Sequence, residues 1–63
     1  MTAGQKLRAI RNLTMQDGLS YEDYYDIGHW VETCRDSDYD TTLLSDKSVE
    51  RIGVIFARFF SEV

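Results

Sequence analysis

The chain has little of what usually holds a small protein together: its 63 residues include one cysteine, one histidine and no proline. A single cysteine excludes an intramolecular disulfide, and one histidine beside it leaves zinc without its usual ligand set. Long apolar runs are also missing. The longest, Val54 to Ala57, falls far short of the roughly 20 residues a membrane span needs. Residues 1–14 mix Lys6, Arg8 and Arg11 with isolated apolar residues and lack the apolar block of a signal peptide. The expectation is therefore a cytoplasmic protein, of a bacterium or an infected host cell, with no membrane contact. Repeats and low-complexity segments are absent, as is any catalytic or cofactor motif.

What is present is an ordinary globular composition, 43% hydrophobic and 29% charged, enough for one domain over residues 1–63. A domain of this size buries only about 60% of the surface its unfolded chain exposes. Stability must then come from close helix packing or from association with another subunit.

Charge is unevenly placed. From Asp17 to Asp46 there are nine acids against one base, Arg35, so the middle carries minus 8, while residues 1–16 carry plus 3 and residues 47–63 plus 1. The same middle holds Tyr21, Tyr24, Tyr25, Trp30 and Tyr39. A net charge of minus 4 argues against the nonspecific attraction to phosphate on which most nucleic-acid binding depends.

The hydrophobic periodicity predicts an all-α fold: a small bundle of three main helices at about residues 3–15, 21–34 and 46–62, or four if the second breaks at Gly28. Thr2 with Gln5 fits a capping box, and Ala3, Leu7, Ile10 and Leu13 or Thr14 recur at helical spacing. Asp17-Gly18 stops that helix. Ser20 caps the second, with Glu22 and Asp23 in a first turn that favours carboxylates. Its expected buried stripe is Tyr24, Ile27 or Gly28, Val31 and Cys34, with Trp30 at the margin. Gly28 costs about 1 kcal/mol relative to alanine, so either a neighbouring helix approaches there or the helix divides. After the loop from Arg35 to Leu44, Ser45 caps the third helix. There Val49, Ile52, Phe56, Phe59 and Val63, broadened by Ile55 and Phe60, form a stripe wide enough to need burial on more than one side.

Three constellations could in principle carry chemistry. Asp36, Asp38 and Asp40 match the D-x-D-x-D opening of a calcium loop, but the sixth position, which requires glycine, holds Thr41, and the twelfth, which requires glutamate, holds Lys47. A solvated acidic loop is the better reading. His29 and Cys34, five residues apart, lie about 140 degrees around a helix from each other, so they do not converge as ligands or as nucleophile and base. Glu22 and Asp26 could share acid and base work, but nothing in so small a bundle suggests a pocket. No enzyme, metal site or cofactor is expected.

GQKLRAIRN followed by GLSYEDYYDIG, together Gly4 to Gly28, resembles the first two helices of the lambda-repressor-like helix-turn-helix regulators. In these a leucine- and arginine-rich helix leads through Gly-Leu-Ser into a second helix that ends at a glycine. LRAIRNLTMQD also looks like the opening of small phage-associated regulators of that class. The link from Arg11 to Gly18 is longer than usual, however, and Tyr25 stands where a small alanine is common. Where the family supplies a polar and basic recognition helix, this chain supplies HWVETCRDSDYD, whose acids repel phosphate.

Together these features point first to a noncatalytic, acidic protein-binding module, a small phage or bacterial inhibitor or adaptor. It would dock Glu22, Tyr25, Asp26, Trp30, Asp36, Asp38, Tyr39 and Asp40 on a basic partner surface, one that itself normally holds nucleic acid. Charge would steer the encounter, and aromatic anchors would supply most of the affinity. The alternative, which the resemblance implies, is a small helix-turn-helix transcription regulator, dimeric through its C-terminal helix, with Lys6, Arg8 and Arg11 on the DNA side. A self-assembling structural subunit is a third reading.

Overall fold

The computed structural model describes residues 1–60. Three α-helices, α1 (Ala3–Ile10), α2 (Tyr21–Cys34) and α3 (Asp46–Phe60), are joined by segments that contain one-turn 3-10 helices at Met15–Asp17, Arg35–Ser37 and Thr41–Leu43. No strand occurs among the described residues, and the fold is all-α. The end expected for the third helix, with Val63, lies outside the described residues.

Thr2 starts α1 with both arms of a capping box: the Gln5 N–H donates to Thr2 Oγ1 at 3.2 Å and the Thr2 N–H to Gln5 Oε1 at 2.9 Å. The helix then ends at Ile10, five residues before the expected stop. The cause is a second capping box downstream. Thr14 is extended, its N–H donates to Asp17 Oδ2 at 2.9 Å, and its hydroxyl accepts from the Gln16 N–H at 3.2 Å. A threonine whose side chain bonds the local backbone offers the chain an alternative to helix. Gly18, at φ 109, closes the turn in the left-handed region.

The second helix does not break at Gly28. Ser20 Oγ accepts from the Asp23 N–H at 3.1 Å, and the helix continues past Cys34 into the 3-10 turn. It closes where Asp38 turns left-handed at φ 56 and the Tyr39 N–H reaches back to the Cys34 carbonyl at 2.9 Å. That six-to-one bond, with a left-handed residue before it, is a Schellman closure. Tyr39 is itself at φ 61, an uncommon conformation for a bulky residue.

The core consists of Leu7 and Ile10 from α1, Leu19 from the first connection, Ile27, Trp30 and Cys34 from α2, and Ile52 and Ile55 from α3. In α2 two residues differ from expectation. Tyr24, expected in the core, is 43% exposed, and Trp30, expected at the margin and on a docking surface, is 3% exposed. The buried stripe is rotated toward Asp23, Asp26 and Trp30, because α3 meets that side with Arg51. Gly28 lies on the opposite side, where an added Cβ would meet nothing within 4 Å, so no neighbouring helix approaches it.

The glycine that does permit a close approach is Gly4: a Cβ there would collide with the Tyr39 carbonyl oxygen. In α3, Ser45 Oγ accepts from the Ser48 N–H at 3.2 Å. Ile52 and Ile55 are buried, Phe56 and Phe59 half-buried, and Val54 and Phe60 exposed. Burial on that broad face is thus graded from a centre at Ile52 and Ile55.

Candidate functional site

The acidic middle of the chain separates into carboxylates the fold uses and carboxylates it leaves free. Arg51 bridges two of the first kind, donating through Nη2 to Asp23 Oδ1 at 2.8 Å and through Nη1 to Asp26 Oδ2 at 2.6 Å. Arg58 stands 3.5 Å from the second Asp23 oxygen. The Arg51 guanidinium also lies over the Trp30 ring, 5.2 Å from its centroid, within cation–π range. The hydrogen bond to Asp26 and then that to Asp23 push the Arg51 pKa above its ordinary value, against partial desolvation. Asp26, expected to contact a partner, is therefore committed to α3.

The loop acids are also partly engaged. Asp40 Oδ1 accepts from the Thr42 hydroxyl at 2.6 Å and from the Thr42 N–H at 3.0 Å, and these bonds hold its carboxyl below the usual aspartate value. Asp38 projects into solvent with Arg8 3.9 Å away. Tyr39 is half-buried between two arginines, whose guanidiniums stand 5.3 Å (Arg8) and 5.8 Å (Arg11) from its ring centroid. Arg11 Nη1 also donates to the Tyr39 hydroxyl at 2.9 Å. Lys6 lies over Phe56 at 5.8 Å. Of the three bases considered for a DNA-facing role, two are thus engaged with Tyr39 and the third with α3. Asp36, Asp38 and Asp40 do not gather around a common point: among the described residues no group of three His, Cys, Asp or Glu side chains could hold a metal ion. His29 is exposed and Cys34 buried. Burial first, and then the charge of Asp40, push the Cys34 thiol pKa up.

The outer face of α2 remains. Tyr21, Tyr25, Gly28 and Glu32 follow one another at steps of four, three and four, so they share one stripe of the helix. Tyr21 is 69% and Tyr25 66% exposed, and their ring centroids are 6.5 Å apart with planes tilted by 34°. With Tyr24 and Leu13 they border an open groove of about 430 Å³, in which Gly28 leaves the helix backbone bare. Glu32, His29 and Arg11 add polar groups to its lining. Glu22, Glu32 and Asp36 are exposed and form no ion pair among the described residues.

Of the residues expected at a partner surface, Tyr25 lies on this outer stripe, Glu22 and Asp36 are exposed in the first turn of α2 and in the turn that follows it, Asp38, Tyr39 and Asp40 lie in the following loop, and Asp26 and Trp30 are drawn inward. Tyr21, Tyr24, Gly28 and Glu32 are added. Their spacing was visible in the sequence as a second stripe, opposite the buried one. No described helix is long and apolar enough to cross a membrane. No family model matches this chain, and no curated protein or solved structure matches it either.

Proposed function

We propose that the protein is a noncatalytic, acidic binding module that docks the outer face of α2 on a basic protein surface, acting as an inhibitor or adaptor. The observation that supports this most is the occurrence, on and around α2, of three exposed tyrosines with three exposed carboxylates, Glu22, Glu32 and Asp36, that form no ion pair among the described residues. Charged residues left unpaired around a basic-seeking face steer encounter and are weakened by salt. Tyrosines anchor interfaces with large contact area and little side-chain entropy to lose. The loop acids contribute to the same field, with one oxygen of Asp40, Oδ1, already engaged in capping the Thr41–Leu43 turn.

The test is affinity capture from host extract with two baits of equal net charge. In one, Glu22 and Glu32 are changed to lysine; in the other, Asp46 and Glu50 are. Partners held by the unaltered protein are expected to be lost with the first bait and kept with the second. Equal capture by both would remove the outer face from the function. Specific binding of genomic DNA fragments at physiological salt would favour the helix-turn-helix regulator instead.

A further inference from the structure

We infer that the groove beside Gly28 is a seat for an arginine side chain of the basic partner, its guanidinium lying on the tyrosine rings and paired with Glu32. This rests on the docking function proposed above and names the group that the face would recognise.

The fold already contains filled versions of such a seat. On the inner face of α2, the Arg51 guanidinium lies over an aromatic ring, Trp30, and bonds two carboxylates that precede that ring on the same helix. At Tyr39, Arg8 and Arg11 flank a tyrosine ring, with Arg11 also bonded to its hydroxyl. On the outer face, Tyr25 and Glu32 are seven residues apart, the same separation as Asp23 and Trp30, with the order of aromatic and acid reversed. Helical side chains lean toward the N-terminus, which carries Glu32 over the turn occupied by Gly28. Because Gly28 has no Cβ and nothing within 4 Å of where one would stand, a long unbranched stem can lie against the backbone there.

The charge layout selects the occupant. Glu32 on the stripe and the exposed Glu22 and Asp36 toward the two ends of α2 are all acidic, so the same face of a second copy would bring like charges together. Arg11, which also lines the groove, donates to the Tyr39 hydroxyl, and Glu32 forms no ion pair among the described residues. The groove volume of about 430 Å³ lies within the roughly 300–1,000 Å³ of ordinary small-ligand sites. Arginine fits better than lysine because a planar guanidinium stacks on a ring and can meet a carboxylate with two parallel bonds, whereas an ammonium is a compact, strongly hydrated charge.

The experiment uses three peptides, identical except at one central position in a lysine-rich background, carrying arginine, lysine or the neutral isostere citrulline. Each is titrated into the isotopically labelled 63-residue protein, with amide shifts read at low and physiological salt. The arginine peptide is expected to bind about threefold tighter than the lysine peptide and about tenfold tighter than the citrulline peptide, with the largest shifts at Tyr21, Tyr25, Gly28 and Glu32. Gly28→Leu should remove this preference by filling the groove. Gly28→Ala should weaken it while raising the melting temperature, so that unfolding cannot account for the loss. Equal affinity for all three peptides, insensitive to both Gly28 variants but still abolished by Glu22→Lys with Asp36→Lys, would overturn the arginine seat and leave the docking face standing. Absence of binding by any of the peptides at low salt would overturn both.

Discussion

On the inner side of α2, Asp23, Asp26 and Trp30 surround the guanidinium of Arg51; on the outer side, Tyr21, Tyr25 and Glu32 present the same kinds of group to solvent. One helix thus uses aromatic rings and carboxylates twice, once to hold α3 and once where, among the described residues, Glu32 forms no ion pair. The difference lies in which side α3 covers. Composition cannot separate the two sets, because each is made of acids and aromatics drawn from the same 14-residue helix. An acidic, aromatic segment is therefore not by itself a docking surface: part of it is structural, and only the uncovered remainder is available to a partner.

The sharpest way to break this distinction is to truncate one aromatic on each side. Trp30→Ala is expected to cost about 3–5 kcal/mol. That is a large part of the total stability of about 3–9 kcal/mol expected for a chain of this length, so the variant should be largely unfolded by circular dichroism at room temperature. Tyr25→Ala should change stability by less than about 0.5 kcal/mol. A stable Trp30→Ala protein would mean that the two faces have been assigned the wrong way round.

Next in size is the loss of the cation. Arg51→Met keeps much of the apolar stem but leaves Asp23 and Asp26 without their main partner, which should cost about 2 kcal/mol by urea unfolding, as expected for charge-assisted hydrogen bonds away from full solvent exposure. Glu32→Gln on the outer face should stay within about 0.5 kcal/mol of the parent. A comparable loss from both would show that Glu32 has a structural partner.

The glycines give a smaller and opposite pair of effects. Gly28→Ala adds helix propensity in open space and should stabilise by up to about 1 kcal/mol. Gly4→Ala gains the same propensity but forces the Tyr39 backbone to move, and overpacking of that kind costs about 1–3 kcal/mol. Thermal melts should therefore shift in opposite directions. Matching shifts would remove Gly4 as the contact that holds the loop after α2.

The smallest effect concerns acid. The folded pKa of Asp40 is lowered by its bonds to Thr42, so its cap contributes stability above the pKa of an unfolded aspartate and loses it as pH falls through the lower folded value. A carboxyl titration followed by NMR should place Asp40 below ordinary aspartates, and Thr42→Val should raise it. An unchanged Asp40 in that variant would remove the cap from the account of the loop.

The helix class, the three helical segments and most of their starts were legible from local signals: Thr2 with Gln5, Ser20 and Ser45 all accept the backbone bonds their positions imply. The early end of α1 was legible in principle, since Thr14 and Asp17 repeat the capping-box spacing that was read at Thr2. Leu7, Ile10, Cys34, Ile52 and Ile55 follow from periodicity, which leaves Ile27 and Gly28 as alternatives; the structure buries Ile27. The places of Tyr24 and Trp30 did not, because both lie within reach of a plausible stripe and burial favoured the side on which Arg51 arrives. For the candidate site, residue type and charge point to Glu22, Tyr25 and Asp36, whereas a glycine within a helix points to close packing or a break, and Gly28 is instead bare helix surface.

The sequence by itself determined the all-α class, where the helices begin and the acidic, aromatic character of the middle, because these depend on bonds and spacings within a few residues. Tertiary structure decided which acids and aromatics face outward. Arg51 meets Asp26 across 25 positions of chain and Asp23 across 28, and a contact at that separation leaves no local periodicity from which the covered side of α2 could be read.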